Sequence, residues 1–340
     1  MRGIVAISDD LVPVQAQIAA GLARVQAVFE QALESDLPPV SRLCRHVERY
    51  RGKMLRPTLV LVCGMAAHPE APRRVEGLLN DAHATVGAVC EMVHMATLVH
   101  DDVLDEAETR RRGQTVNRLY GNEAAVILGD HLIASAYRLC STIDLETALA
   151  VGRASREMCS GELLQLHHRD DLSLDEATYF EIIERKTAAL IAASCALGAR
   201  HSGASGAVCT ALEVYGRRVG AAFQIQDDVL DLTGREAVVG KPLRQDAVKG
   251  KLTLPLIHHL AACEARQRGR SLRLLERLAD DQPVGEELRA AVESTGSLRH
   301  ALDGACRLVE SAKAALRPVP DSPARRVLLE MADAVVARAF

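Results

Sequence analysis

EMVHMATLVHDDVLD, Glu91 to Asp105, is the stretch on which the reading of this chain turns. Val89, Met92, Val93, Ala96 and Val99 recur at three- and four-residue steps, as one stripe of a helix does. The stripe runs into Asp101-Asp102-Val103-Leu104-Asp105. The same pattern returns as Asp227-Asp228-Val229-Leu230-Asp231, after the apolar run Val219 to Ile225. In each cluster the first and last aspartates are four apart and share a helix face. Like charges at that spacing repel, so something must compensate. Hard oxygen ligands on one face suit Mg²⁺, which takes a few carboxylates and completes its shell with phosphate oxygens. A solvated acidic helix end accounts for one such cluster. It does not account for two, each followed by Arg- or Lys-rich sequence.

The basic groups lie near the clusters in sequence. Arg110-Arg111-Arg112-Gly113 follows the first. Guanidinium forks match phosphate oxygens bidentately. Upstream, Gly52-Lys53-Met54-Leu55-Arg56-Pro57 sets Lys53 and Arg56 three apart, so a helical turn would project them together. Its glycine spacing is not that of a P-loop. After the second cluster come Gly240-Lys241-Pro242, Asp246 and Gly250-Lys251-Leu252-Thr253-Leu254-Pro255, and Lys186-Thr187 adds a cation in helical context. Two acidic clusters with several separate basic ones suit two polyphosphate groups, one bridged to aspartates by metal and one held by Lys and Arg. His94 lies two helical turns before Asp101, on the same face. His167-His168 and His258-His259 lack a carboxylate or thiol at metal spacing and read as structural.

Composition limits the alternatives. The chain has 340 residues, 48% hydrophobic and 25% charged, enough for a sizeable core and unlike a disordered chain. A net charge of −4 gives no basic field for nucleic acid. Aromatics are 3% and tryptophan is absent, so the core is aliphatic and helix-favouring. Helical periodicity extends almost throughout, with no convincing period-two strand. Breaks fall at Pro38-Pro39, His68 to Pro72, Gly198 to Gly206, Asp280 to Gly285 and Pro318 to Pro323, none long enough for an interdomain linker. A single domain over 1–340 is expected. Nine cysteines, none in a C-x-x-C pair, read as buried thiols in a reducing compartment. No signal-peptide anatomy and no unbroken apolar run of ~18 residues is present. A cytoplasmic protein is expected, with any membrane contact peripheral.

These residues resemble the trans-isoprenyl diphosphate synthases, or polyprenyl synthetases. Glu91 to Asp102 resembles the family's first aspartate-rich helix, and Phe223-Gln224-Ile225-Gln226-Asp227-Asp228 its second. The Gly52 to Pro57 motif, Gly161-Glu162, Lys186-Thr187, Gly250 to Pro255 and the run Ala324 to Phe340 match in the family's order. The resemblance implies an all-α fold of about a dozen helices around a central cavity, usually a homodimer. It implies head-to-tail (1'-4) transfer between isopentenyl diphosphate and an allylic diphosphate such as farnesyl or geranylgeranyl diphosphate. About three Mg²⁺ ions would bind with the allylic diphosphate, on Asp101, Asp102 and Asp105 and on Asp227, Asp228 and Asp231. Asp101, Asp105, Asp227 and Lys186 would be catalytic. Lys53, Arg56, His94 and Arg111 would hold isopentenyl diphosphate. Arg110, Lys186, Thr187, Gln224, Lys241 and Lys251 would serve the allylic substrate. The departing diphosphate would take the proton that the condensation releases.

Two features depart from the family pattern. A third arginine precedes Gly113, so the matching pair is Arg110 and Arg111, or Arg111 and Arg112 after a one-residue slip. Arg244 stands where a glycine is common.

Product length is expected to depend on the residues one turn before Asp101, about 6 Å back along the helix. Ala96 and Thr97 stand there, and neither is large. In the family, aromatics at these places block elongation, so a product longer than three or four isoprene units is expected. Three rivals share part of the pattern: a short-chain synthase, a class I terpene cyclase and a non-catalytic subunit of a heteromeric synthase. A cyclase usually carries a single D-D-x-x-D and no Lys53/Arg56 pair, and a non-catalytic subunit generally loses the aspartates.

Overall fold

The computed structural model describes residues 11–50, 52–110, 113–234, 244–280 and 282–337. Arg111, Arg112 and Lys241, all expected site residues, lie outside them. The described chain is helical nearly throughout, as expected. One small ladder departs from that expectation. Thr109 and Arg110 pair antiparallel with Gln114 and Gly113.

In chain order the helices are α1 (Val12–Ala32), α2 (Pro38–Val47), α3 (Leu55–Ala67), α4 (Asp81–Leu104), α5 (Val116–Tyr120), α6 (Asn122–Cys140), α7 (Leu145–His167), α8 (Glu176–Ile183), α9 (Ala189–Arg200) and α10 (Gly206–Thr233). They continue as α11 (Gln245–Val248), α12 (Leu254–Ala262), α13 (Ala265–Ala279), α14 (Gly285–Ser294), α15 (Ser297–Ala315) and α16 (Pro323–Val336). Pro38-Pro39 proves to be a helix start. Proline is tolerated in a first turn, where its missing N–H has no partner to lose.

The chain divides into two compact units. The first takes in the described residues of Met1–Arg156, Leu190–Gly216 and Lys313–Met331. Its centre is α4, where Val89, Met92, Met95, Ala96 and Val99 are wholly buried. The α1 stripe Val14, Ile18, Val25 and Phe29 is buried too. By length and composition α4 could cross a membrane, but 72% of its apolar window is buried inside the protein, as in a core helix. Its start is fixed by polar groups. Asn80 caps it by accepting from the His83 N–H, and His83 Nδ1 accepts the Asn80 N–H at 3.1 Å. Nδ1 also lies 2.8 Å from Asn80 Oδ1, and Nε2 lies 3.1 Å from the Gly198 carbonyl and 3.0 Å from Ser202 Oγ.

The second unit takes in the described residues of Glu157–Ala189, Arg217–Ala312 and Ala332–Phe340. Between α8 and α9 the helix widens into a π segment, Glu184–Ala188. Such bulges are rare and frequently lie at functional sites.

Candidate active site

In the first unit α4 ends at its aspartates. Asp105 N–H still bonds the Asp101 carbonyl at 2.8 Å, so the two share the last turn, and both are half-buried. Glu106 then takes a left-handed φ of 49° and stops the helix. Asn117 Nδ2 bonds the carbonyls of Asp102 and Ala107, both at 3.1 Å, and holds that end in place.

Asp102 points elsewhere. It is buried, and Arg110 Nε lies 2.9 Å from its Oδ1 and 3.1 Å from its Oδ2, with an Arg110 terminal nitrogen 2.8 Å from Oδ1. The same guanidinium carbon sits 5.9 Å from the Tyr50 ring centroid, within cation–π range. The Tyr50 hydroxyl accepts the Val116 N–H at 2.9 Å. Burial, then the Asp102 charge, push that hydroxyl's pKa up. The expected metal ligand Asp102 and the expected substrate ligand Arg110 are thus already partners. Sequence reading missed Tyr50 and Asn117, which carry no motif of their own.

Lys53 and Arg56 do not share a helical turn, and that reading is corrected. Met54 between them is left-handed, at φ 53°, and caps α3, so Lys53 precedes the helix and Arg56 lies in its first turn. Lys53 is exposed and Arg56 half-buried. Desolvation draws the Arg56 guanidinium down from its ordinary pKa, and Glu91 opposes it. An arginine stays charged there, aided by that carboxylate. His94 is half-buried on α4, and its carbonyl accepts from the Thr97 hydroxyl at 2.8 Å. Ala96 is fully buried.

In the second unit the π segment turns Lys186 onto α7. Its ammonium pairs with Glu162 and donates to Gln165 Oε1 at 2.9 Å. Gly161 makes this approach feasible. A Cβ there would lie 2.5 Å from the Lys186 backbone nitrogen. Next along the segment, Thr187 donates to Gln224 Oε1 at 2.9 Å, and Gln224 Nε2 donates to Asp228 Oδ1 at 2.8 Å. Tyr179 completes the chain by donating to Asp228 Oδ2 at 2.5 Å. Burial, helped by the nearby Asp246, pushes the Asp228 carboxyl well above the usual range.

Asp231 is buried as well. Its Oδ2 accepts the Asp246 N–H at 3.3 Å and its carbonyl the Arg244 N–H at 2.9 Å. Asp227 is the half-exposed member of this cluster. Lys251 is nearly buried, and Gly250 before it has φ 68° and lends its carbonyl to the Asp170 N–H at 2.9 Å. Gln165 and Tyr179 are site neighbours that sequence spacing did not reveal, whereas Glu162 belongs to the Gly161-Glu162 motif already noted.

The paired histidines have local partners, and His168 finds a carboxylate three residues on that the sequence reading does not count. His168 bonds Asp171 at 2.8 Å, His258 stacks on His300 at 4.0 Å between ring centroids, and His259 bonds Thr295 and Ser271. Among the described residues no three His, Cys, Asp or Glu side chains converge as a ready-made metal cage. Asp101, Asp105 and Asp227 are half-buried, whereas Asp102, Asp228 and Asp231 are buried.

Comparison with known proteins agrees with the all-α fold. The polyprenyl synthetase family model matches residues 38–293. Octaprenyl diphosphate synthase of Escherichia coli is 31% identical over 94% of this chain and 96% of its own length. Heptaprenyl diphosphate synthase component 2 of Bacillus subtilis is 32% identical over 93% of this chain and 87% of its own. A Caulobacter crescentus polyprenyl synthase, solved with calcium and isoprenyl diphosphate, superposes with a TM-score of 0.87 at 33% identity, covering 96% of this chain and 98% of that one. The chain belongs to the polyprenyl synthetase family and is a prenyltransferase that makes polyprenyl diphosphates.

Proposed function

We propose that this enzyme joins isopentenyl diphosphate head-to-tail to an allylic diphosphate and repeats the step to a long chain. The observation that carries the reading is the contrast within the first cluster. Asp101 and Asp105 share the last turn of α4, while Asp102 is turned into Arg110. Asp101 and Asp105, one turn apart on one helix face, would carry a metal–diphosphate complex, and Asp102 sets the local frame.

Bound Mg²⁺ supplies Lewis-acid neutralisation of the departing diphosphate. Asp101 and Asp105 would hold it in the first unit and Asp227 in the second. Lys186, Thr187, Gln224 and Lys251 place cationic and polar groups for the allylic diphosphate, preorganised where negative charge develops. Lys53, Arg56 and His94 hold isopentenyl diphosphate in attack geometry. The aliphatic wall along α4 excludes water from the carbocation. The small, buried Ala96 and the neighbouring Thr97 support a product longer than three or four isoprene units.

Both units form one synthetase domain over 1–340. The family match begins in the first and ends in the second, which supports this. A homodimer is supported by the exposed apolar side chains Leu119, Tyr120, Val126, Ile127 and Tyr137 on α5 and α6, with Ile127 67% exposed. The Bacillus relative, named as one component of a synthase, favours a heteromer as the second reading. Cytoplasmic placement is supported by nine cysteines that are all free.

Asp101→Ala and Asp227→Ala, each checked for folding by circular dichroism, test the reading. Each should lose most turnover. Near-normal turnover in a folded variant contradicts the metal assignment.

A further inference from the structure

Arg244 has a left-handed backbone, φ 61° and ψ 23°, at the entrance to α11. For an L-residue with a long side chain this conformation is strained. Strained positions persist when their surroundings over-determine them. Here the surroundings are specific. The Arg244 guanidinium pairs with Glu286 in the first turn of α14, and Arg289 Nε holds the other Glu286 oxygen at 2.9 Å. The arginine stem lies across Gly285, where a Cβ would come within 2.5 Å of its Cδ and Nε. At the backbone, the Arg244 and Asp246 N–H groups both end on Asp231, on its carbonyl and its Oδ2. The Asp246 carbonyl in turn accepts the Lys251 N–H at 2.8 Å.

We propose that Arg244 is a positioning residue for the second aspartate cluster. Its ion pair with Glu286 and its seat on Gly285 hold the strained backbone whose N–H groups orient Asp231, and through Asp246 it sets the start of the Lys251 motif. A glycine would adopt this backbone freely but would leave it unanchored. The arginine thus exchanges backbone freedom for a tether to α14. Its bearing on catalysis rests on the proposed role of the second cluster, whereas the tether itself can be read without substrate.

The test is Glu286→Gln, with the neighbouring exposed Glu287→Gln as control. Hydrogen exchange in ligand-free protein should quicken at the Arg244 and Asp246 amides by about two- to fivefold, the range a solvent-exposed ion pair supports. The Asp105 amide should not change. The Mg²⁺ concentration for half-maximal product formation should rise by a similar factor, with the KM for isopentenyl diphosphate unchanged. Glu286→Asp should restore most of both effects. In an Arg244→Gly background, Glu286→Gln should add nothing further. Unchanged exchange in Glu286→Gln, or an undiminished effect in the Arg244→Gly background, overturns the tether. Faster exchange with an unchanged Mg²⁺ requirement overturns the positioning role. An inactive wild type would sink the prenyl-transfer reading instead, and exchange would still decide the tether.

Discussion

The Arg110 guanidinium holds both carboxylate oxygens of Asp102 at 2.8 to 3.1 Å. The carboxylate is buried, whereas the arginine side chain retains 27% exposure. Removing one partner of such a pair strands the other's charge, which costs far more than the pair contributes. Arg110→Ala should therefore lower stability by about 3 kcal/mol. Adding Asp102→Asn to that variant should recover part of the loss. Denaturant unfolding of the three proteins measures this, and an unchanged midpoint in Arg110→Ala contradicts it.

The contact of Gly161 with the π segment gives a second expectation. A methyl group at 2.5 Å from the Lys186 backbone must displace backbone rather than a flexible side chain. Gly161→Ala should cost about 1–3 kcal/mol, as overpacking does. Because Lys186 and Thr187 move with the segment, the KM for the allylic substrate should rise while that for isopentenyl diphosphate holds. Steady-state kinetics with each substrate varied in turn distinguishes this from a general loss.

These two sites show what the sequence made legible. The helical stripe of α4 and the paired aspartate clusters follow from spacing, since local periodicity fixes which residues share a face. The partners of those residues depend on tertiary contact. No spacing rule says that Asp102 turns to Arg110, or that Tyr179 reaches Asp228. The π segment needs Gly161 opposite it, far away in sequence. The left-handed Met54 overrode the simple i,i+3 reading of Lys53 and Arg56. Arg244 was visible as a departure, but its tie to Glu286 was not.

His83 gives a dependence on pH. Burial pushes its pKa down to about 4, from an ordinary value near 6.5. The unfolded chain therefore takes up the proton first as pH falls. The contribution is fully present above pH ~6.5, fades as pH falls toward 4, and amounts to about 3 kcal/mol in all. His201 is lowered in the same direction. The stability difference between pH 7 and pH 5 should shrink in His83→Gln relative to the wild type. Equal pH dependence of the two melting temperatures contradicts the account.

The small Ala96 is proposed to let the growing chain pass. It is fully buried on α4, one turn before Asp101. Ala96→Phe should shorten the principal product while the first condensation continues. Thin-layer sizing of the dephosphorylated products reads this directly. An unchanged length in an active variant shows that the growing chain does not pass Ala96.

The central claim is repeated head-to-tail transfer, and one measurement addresses it most directly. The purified chain is incubated with isopentenyl diphosphate, farnesyl diphosphate and Mg²⁺, and the dephosphorylated products are sized. The account predicts a ladder of isoprene additions that ends in one long chain. No elongation from farnesyl, geranylgeranyl or shorter primers would contradict it.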